Sequence, residues 1–249
     1  MERINALLVG APRQGKTYFG EKKLIEYAKS GGCSVVYNVG RPTDFQRFIP
    51  VEIMTVQEYK RMWEKKEGKM MKTFDVPNEV IFFKYNGSIY HLQDFSKLFA
   101  GKCVKIERVL NSGIYRNEDY FIAAIYRYFY NTFVMFDDCR TIFRKGLSSE
   151  MVGLISRINH AGKTIATDTK LIGIDLMLVY HGFDTVNVET CQFINLLVQF
   201  RTMFLPKMRI DNYEMEEIIE SNYHALKETE KYSHFEFDLF TLNNTLFKP

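Results

Sequence analysis

The stretch GAPRQGKT, residues 10–17, carries the residue types that bind a chain of phosphates. It matches the pattern G-x-x-x-x-G-K-[ST] in full, after a short apolar run and before an amphipathic stretch. That strand, loop and helix context is the one in which backbone N–H groups curl around a β-phosphate at the positive end of a helix. We therefore predict a binding site for ATP and Mg²⁺ here; the alternative is a tight turn with Lys16 in solvent.

Each residue of this loop has an expected task. Lys16 is expected to reach the β- and γ-phosphate oxygens, and the Thr17 hydroxyl to ligate Mg²⁺. The other predicted nucleotide contacts come from the same loop and from the residue that follows it, and they are Gly10, Arg13, Gln14, Gly15 and Tyr18.

A pair of acids follows a second apolar run, in FVMFDD, residues 133–138. Four apolar residues in succession indicate a central strand, and ligands of open α/β sheets bind at the carboxyl ends of such strands. Asp137 is expected to hold Mg²⁺, and Asp138 to orient or deprotonate an attacking water. Asp138 could instead serve as a loop or helix-capping aspartate.

His181 ends another apolar run, IDLMLVYH, and should lie at the same edge of the sheet. There it could contact the γ-phosphate or the attacking water, and it could equally be a structural histidine.

The elements that position these residues alternate along the chain, as in a parallel sheet flanked by helices. Asn86-Gly87 between apolar runs predicts a β-hairpin, and residues 50–100 are interpreted as an insertion. Strands are predicted at 4–10, 33–40, 102–109, 132–138, 173–181 and 195–204, and helices at 17–32, 55–72, 117–131 and 147–163. The expected fold class is α/β, a P-loop NTPase of RecA-like type with a mostly parallel central sheet.

Charge divides the chain unevenly. Residues 211–249 hold nine acidic and three basic residues, so residues 1–210 carry a net charge of +9 and the rest −6. We expect a P-loop ATPase domain over 1–210 and an acidic, partly helical tail over 211–249. A basic body suits nucleic acid as a partner, although ordinary solvated lysines would give the same balance.

Composition excludes several other classes of protein. The four cysteines show no CxxC pair, which argues against a disulfide framework and against a zinc site. Apolar runs are too short for a membrane span or a secretory leader, so a cytoplasmic protein is expected.

The C-terminal half resembles the FtsK-HerA branch of P-loop ATPases over about 70 residues. The resemblance rests on GLISRINHAGK followed by IGIDLMLVYHGFDTVNVETCQFINLLVQFRTMF, together with the loop and the acidic strand end. It implies that Gly15, Lys16 and Thr17 belong to Walker A, that Asp137 and Asp138 form Walker B, and that His181 is the polar sensor. Two residues depart from the family, since Asp138 stands for the usual Glu and His181 for the usual Gln.

The same resemblance implies an arginine that acts on the nucleotide of a neighbouring subunit. Arg157 falls near the family's position, Arg144 and Arg201 compete with it, and each could instead pair with a surface carboxylate. Such an arginine can be worth about 10³–10⁵ in rate.

The function implied is ATP-driven translocation of DNA, independent of sequence, by a homo-oligomeric ring expected to be a hexamer. The compact chain favours a viral genome-packaging ATPase, acting in the host cytoplasm or on the virion with a capsid or portal protein as a possible partner. Three rivals share the loop: a Zot-like phage assembly or export ATPase, a small-molecule P-loop kinase, and a non-catalytic nucleotide-binding structural subunit.

Overall fold

Eleven β-strands form a single sheet in the computed structural model, which describes residues 3–38, 44–67, 79–109, 117–143, 147–186, 188–204 and 213–249. The strands are β1 (Asn5–Val9), β2 (Cys33–Asn38), β3 (Ile49–Thr55), β4 (Val80–Tyr85), β5 (Ser88–His91), β6 (Cys103–Val109), β7 (Thr132–Asp137), β8 (Ile174–Tyr180), β9 (Leu196–Phe200), β10 (His234–Asp238) and β11 (Asn243–Phe247). The α-helices are α1 (Lys16–Lys29), α2 (Val56–Glu67), α3 (Phe95–Leu98), α4 (Asn117–Tyr128), α5 (Cys139–Ile142), α6 (Ser149–Ile155), α7 (Val188–Phe193) and α8 (Tyr213–Lys227).

The sheet is parallel in its centre and antiparallel at both ends. Its order is β11-β10-β9-β1-β8-β7-β2-β6-β3-β4-β5, and the seven strands from β9 to β3 run parallel to their neighbours. Every residue of β1, β7 and β8 is buried, which is why these strands consist almost entirely of apolar residues. The predicted α/β fold with a mostly parallel sheet is confirmed.

Side chains of the central strands alternate between two hydrophobic clusters, one on each face of the sheet. Along β1, Ala6 and Leu8 join one cluster with Phe19 of α1, whereas Leu7 and Val9 join the other. The second cluster is the larger and includes Phe121 of α4. The layers therefore follow the order helix, sheet, helix, and α1 starts on one face directly after β1.

The region predicted as an insertion contributes to both the parallel and the antiparallel parts of the sheet. β3 pairs in parallel with β6, through a register shift between Val51 and Glu52. The predicted hairpin is confirmed as β4 and β5, joined by Asn86 (φ 48°) and Gly87 (φ 78°). Positive φ at both turn residues is the type I′ geometry that suits the twist of a hairpin. The sequence prediction missed β3.

The C-terminal segment supplies helix α8, as predicted, and then two strands that the sequence analysis did not predict. β10 pairs antiparallel with β9, and β11 pairs with β10. The signal was present in HFEFD, where charged or polar residues alternate with Phe235 and Phe237. The division at residue 210 stays a prediction, and strand pairing joins the two sides of it in one sheet.

Within the described ranges, no helix has both the length and the apolar composition needed to cross a membrane.

The burial of β10 gives a stability prediction. Phe237 is 2% exposed and belongs to the larger cluster, so we expect Phe237→Ala to lower the free energy of unfolding by about 3–5 kcal/mol. Phe240, three residues on, is 65% exposed, and Phe240→Ala should change it by less than about 0.5 kcal/mol. Urea unfolding of both variants is the measurement; equal, small effects would mean that the C-terminal strands are not part of the stable sheet.

Candidate active site

The loop between β1 and α1 has the backbone of an anion-binding turn. Arg13 (φ 63°) and Gly15 (φ 96°) both adopt left-handed conformations, and α1 begins immediately after Gly15. Successive N–H groups in such a turn converge on one point at the positive end of the helix. The loop can therefore bind a phosphate group through its backbone.

Lys16 is buried at the base of this loop. It is 5% exposed, and its Nζ donates hydrogen bonds to the carbonyl oxygens of Gly10 and Ala11 and lies 3.3 Å from His181 Nδ1. Burial lowers the pKa of Lys16 to about 8, although Asp137 and Asp138 oppose that shift. At neutral pH the site thus holds a buried ammonium group whose direct partners are neutral.

Three carboxylates face the same cleft. Asp137 ends β7 and is 8% exposed, Asp138 follows it, and Asp44 comes from the chain after β2, the strand beside β7. Burial first, then Asp44 and Asp138, raise the pKa of Asp137 to about 6, against the attraction of Lys16. The sequence analysis missed Asp44, although it follows a predicted strand at this edge of the sheet.

Asp138 and His181 face each other across the cleft. Asp138 adopts φ 59° and ψ 56°, its Oδ2 accepts a hydrogen bond of 2.8 Å from the Thr141 hydroxyl, and its Oδ1 lies 3.6 Å from His181 Nε2. A left-handed aspartate costs on the order of 1 kcal/mol, and such strain clusters at functional sites. Asp138 does stand at the first position before α5, but its carboxylate points to Thr141 and His181.

The hydrogen bonds define the tautomer of His181. The Lys16 ammonium group can only donate, so His181 Nδ1 accepts and the proton of a neutral ring lies on Nε2, toward Asp138. Burial and the nearby Lys16 lower the pKa of His181 below its ordinary value, so the ring is neutral at neutral pH. The hydrogen-bonding groups of these three residues therefore run in one direction: Lys16 donates to His181, and His181 presents its N–H to Asp138.

These residues line one cleft of about 840 Å³. Its walls are formed by Pro12, Arg13, Gly15, Lys16, Thr17, Tyr18, Asp44, Asp137, Asp138, His181, Lys231 and Tyr232. The structure thus brings together most of the predicted site residues and adds Asp44 and two residues of the C-terminal segment.

Two predicted loop contacts stand apart from the rest. Of the residues that the structure describes, Gly10 and Gln14 belong to the loop but not to the lining of the cleft. At Gly10 a Cβ would stand 2.5 Å from the Cβ of Phe200, so glycine is required there for close approach to β9.

The cleft fits the way in which proteins bind Mg²⁺ with a nucleotide. Among the described residues, no group of three or more His, Cys, Asp or Glu side chains is arranged to hold a metal ion. Mg²⁺ usually takes one or two carboxylates and completes its shell with phosphate and water. Asp137 and the Thr17 hydroxyl, on the same cleft, are the groups that suit this mode.

The arginines predicted to act between subunits lie elsewhere. Arg157 Nε donates to the Gly153 carbonyl at 3.1 Å, its guanidinium lies 4.9 Å from the Tyr126 ring, and it lines a second pocket with His160 and Lys163. That pocket is near the start of β8, at the edge of the sheet opposite the cleft, so Arg157 does not contribute to the cleft of its own chain.

The two competitors have different outcomes. Arg201 donates to the carbonyl oxygens of Leu226, Lys227 and Thr229, at 3.0, 3.2 and 2.7 Å, and so anchors the end of α8. Arg144 lies outside the described residues.

The buried carboxylate gives a pH prediction. The pKa of Asp137 is about 6 in the folded protein and 3.8 in the unfolded chain, so the folded state binds this proton more tightly. The ligand-free protein should lose stability, relative to Asp137→Asn, as the pH rises from about 4 to about 6. At pH 8 we expect Asp137→Asn to be more stable by about 1–3 kcal/mol.

Urea unfolding between pH 4 and 8 measures this difference, with Glu217→Gln on the exposed face of α8 as the control. A difference that does not change with pH would show that Asp137, despite Asp44 and Asp138 beside it, titrates normally.

The fold is similar to that of proteins of known structure, although no protein-family model and no curated protein matches the sequence. Among solved structures, the genome packaging NTPase B204 from Sulfolobus turreted icosahedral virus 2 in complex with AMPPCP matches with a TM-score of 0.58 and 12% identity, over 100% of both chains. Its complex with ATP-gammaS gives 0.58 and 14% identity, over 99% of this chain and 97% of that one.

B204, the DNA-packaging ATPase from Sulfolobus Turreted Icosahedral Virus, matches with a TM-score of 0.52 and 13% identity, over 98% of this chain and 96% of that one. The likeness is one of fold, because the sequences share so few residues. The chain therefore has the α/β fold of B204, as the resemblance in its sequence predicted.

Proposed function

We propose that this protein is an ATP-driven DNA translocase of the viral genome-packaging type, acting as a homo-oligomeric ring. The observation that supports it best is the single cleft that holds Lys16, Asp137, Asp138 and His181 at the carboxyl edge of the sheet. The shared fold adds weight, since B204 was solved with ATP analogues and is a genome packaging NTPase by name.

The first task of the cleft is to bind the triphosphate. The loop N–H groups and the Lys16 ammonium group supply the positive charge, and Asp137 and Thr17 would hold Mg²⁺. Bound Mg²⁺ neutralises the charge that develops on phosphate oxygens during transfer. Binding of an anion offers Lys16 a charged partner that it lacks beside the carbonyls of Gly10 and Ala11.

The second task is to direct a water at the γ-phosphorus. Asp138 accepts the proton of that water as its oxygen bonds to phosphorus and the bond to the β–γ bridging oxygen breaks. The Nε2–H of neutral His181 faces Asp138 and positions its carboxylate, and the Thr141 hydroxyl does so from the other side. Aspartate and histidine can thus perform here the tasks for which the resembled family uses Glu and Gln.

The third task is to hold DNA without reading its sequence. The +9 charge of residues 1–210 supports contact with phosphates, which any sequence presents alike. Basic residues of the stretches 60–72 and 102–108 are the candidates for the DNA channel, and the side chains of the first stretch lie largely outside the described residues. In the second stretch, Lys105 of β6 is buried and donates to the Asp44 carbonyl at 2.8 Å, so the exposed Lys102, which directly precedes β6, is the better candidate.

The ATPase activity tests this proposal. Double-stranded DNA should stimulate the rate at low salt, and the stimulation should fade as salt rises. Asp138→Asn should lower kcat by about 10²–10⁴-fold with little change in ATP affinity, because it removes a proton acceptor. Lys16→Ala should lose ATP binding, and Glu217→Gln should behave as the wild type.

Other outcomes would identify the rivals. A rate indifferent to DNA but abolished by Lys16→Ala would favour an assembly or export ATPase, and phosphate transfer to a nucleoside without DNA would identify a kinase.

The ring gives a separate prediction. If Arg157 acts on the nucleotide of a neighbour, Arg157→Ala should lower the rate about 10³-fold without weakening ATP binding. Arg127→Ala, which alters an exposed arginine of the same pocket, should have little effect. Mixing Arg157→Ala with Lys16→Ala subunits should restore part of the rate, because each supplies what the other lacks; absence of complementation would contradict action between subunits.

A further inference from the structure

The C-terminal segment reaches the cleft at a point that the proposed hydrolysis does not use. Lys231 and Tyr232 lie in the turn between α8 and β10, and both line the cleft. The Tyr232 ring lies against the phosphate loop, since a Cβ on Gly15 would stand 3.1 Å from its Cδ1. The Lys231 Nζ lies 4.9 Å from the centre of the same ring.

Specific bonds hold this turn beside the loop. Ala11 N donates to the Arg201 carbonyl at 2.8 Å, and the Arg201 guanidinium binds the carbonyl oxygens at the end of α8, including that of Thr229. Two residues beyond Tyr232, His234 stacks between Phe200 and Phe247, with ring centres 4.9 and 5.4 Å away. The turn is thus attached to the sheet on both sides of Tyr232.

Tyr232 is held in this position against its backbone preference. Its φ is 75°, in the left-handed region that a bulky side chain rarely adopts. Its side chain nevertheless stays 49% exposed, at the mouth of a polar cleft. The ring is exposed, its backbone is strained, and the turn that carries it is held beside the phosphate loop. Such a residue is a candidate for contact with a ligand.

The composition of the cleft indicates which part of a ligand this ring would meet. Lys16, the three aspartates and the loop backbone suit phosphates and a metal ion. Tyr232 and Tyr18, which is 74% exposed, offer aromatic faces instead. Every nucleobase has a flat face that can stack on an aromatic ring, whatever hydrogen-bond donors and acceptors the base carries at its edges.

We propose that Tyr232 is the base-stacking residue of the nucleotide site, so that the C-terminal segment and the phosphate loop of one chain bind the same nucleotide. The inference rests on the proposed function, because it takes the ligand of the cleft to be a nucleoside triphosphate. Stacking is tolerant of base identity, so the contact adds affinity for any nucleotide over a phosphate chain that lacks a base.

Comparing ATP with inorganic tripolyphosphate tests the proposal. By titration calorimetry, Tyr232→Ala should weaken ATP binding about tenfold or more, the scale of base–aromatic stacking, and leave tripolyphosphate binding unchanged. Tyr232→Trp should keep ATP affinity, and its new indole should be quenched by ATP but not by tripolyphosphate. Phe240→Ala, an exposed aromatic residue at the other end of β10, is the matched control.

Each other result would overturn the inference. Equal loss of both ligands in Tyr232→Ala would mean that the residue only supports the loop, tighter binding of both would mean that the ring blocks the cleft, and no change would mean that it has no role. These results would leave the proposed function intact, provided that Lys16→Ala loses both ligands. A wild-type protein that binds neither ligand would instead overturn the proposed function itself.

Discussion

The parallel pairing of β1 with β8 and β9 is the constraint on which the rest of the site depends. Val9 lies opposite Tyr180 on one side and Gln199 on the other, so the chain leaves all three strands at the same edge. The residues that come next are therefore neighbours: the phosphate loop, His181 and Arg201. A shift of β1 by one residue would exchange its two buried faces and separate Lys16 from His181.

The strand ends that meet at this edge of the sheet also bring buried charges close together. Lys16 and Asp137 are both nearly inaccessible to water, and both have pKa values displaced toward the neutral form. Burying charges without full compensation is unfavourable, so a site of this kind lowers the stability of the ligand-free protein. In the proposed function the compensation comes from the ligand, whose phosphates and metal ion bring the charges that the protein leaves unmatched.

Sequence patterns predicted those parts of the molecule in which a local signal and the tertiary structure agree. The loop at residues 10–17 and the apolar strands β7 and β8 are examples, because glycine spacing and continuous burial leave a direct mark on the sequence. The partners of each strand left no such mark. β1 pairs with strands about 170 and 190 residues away, and only three-dimensional structure reveals this.

The features that local sequence did not predict depend on tertiary structure. β10 alternates polar and apolar residues, but its acidic surroundings favoured a solvated tail. Asp44 and Tyr232 have ordinary local sequences, and they reach the cleft because neighbouring strands direct them there. Gly10 is the first residue of the phosphate-loop motif, but glycine is needed there because a side chain would collide with Phe200. A residue of the motif can therefore have a structural role other than the one that the motif predicts.

The long sequence separation between β1 and its two neighbours, β8 and β9, has a consequence for how this protein is made. The phosphate loop leaves the ribosome well before the strands that flank β1, because β8 and β9 follow β1 by about 170 and 190 residues. Until then β1, with its five buried residues, has neither of its hydrogen-bonded neighbours. Folds that rely on such distant pairings form slowly and leave apolar strand edges unpaired in the meantime, so β1 is a segment at which an incomplete chain can aggregate.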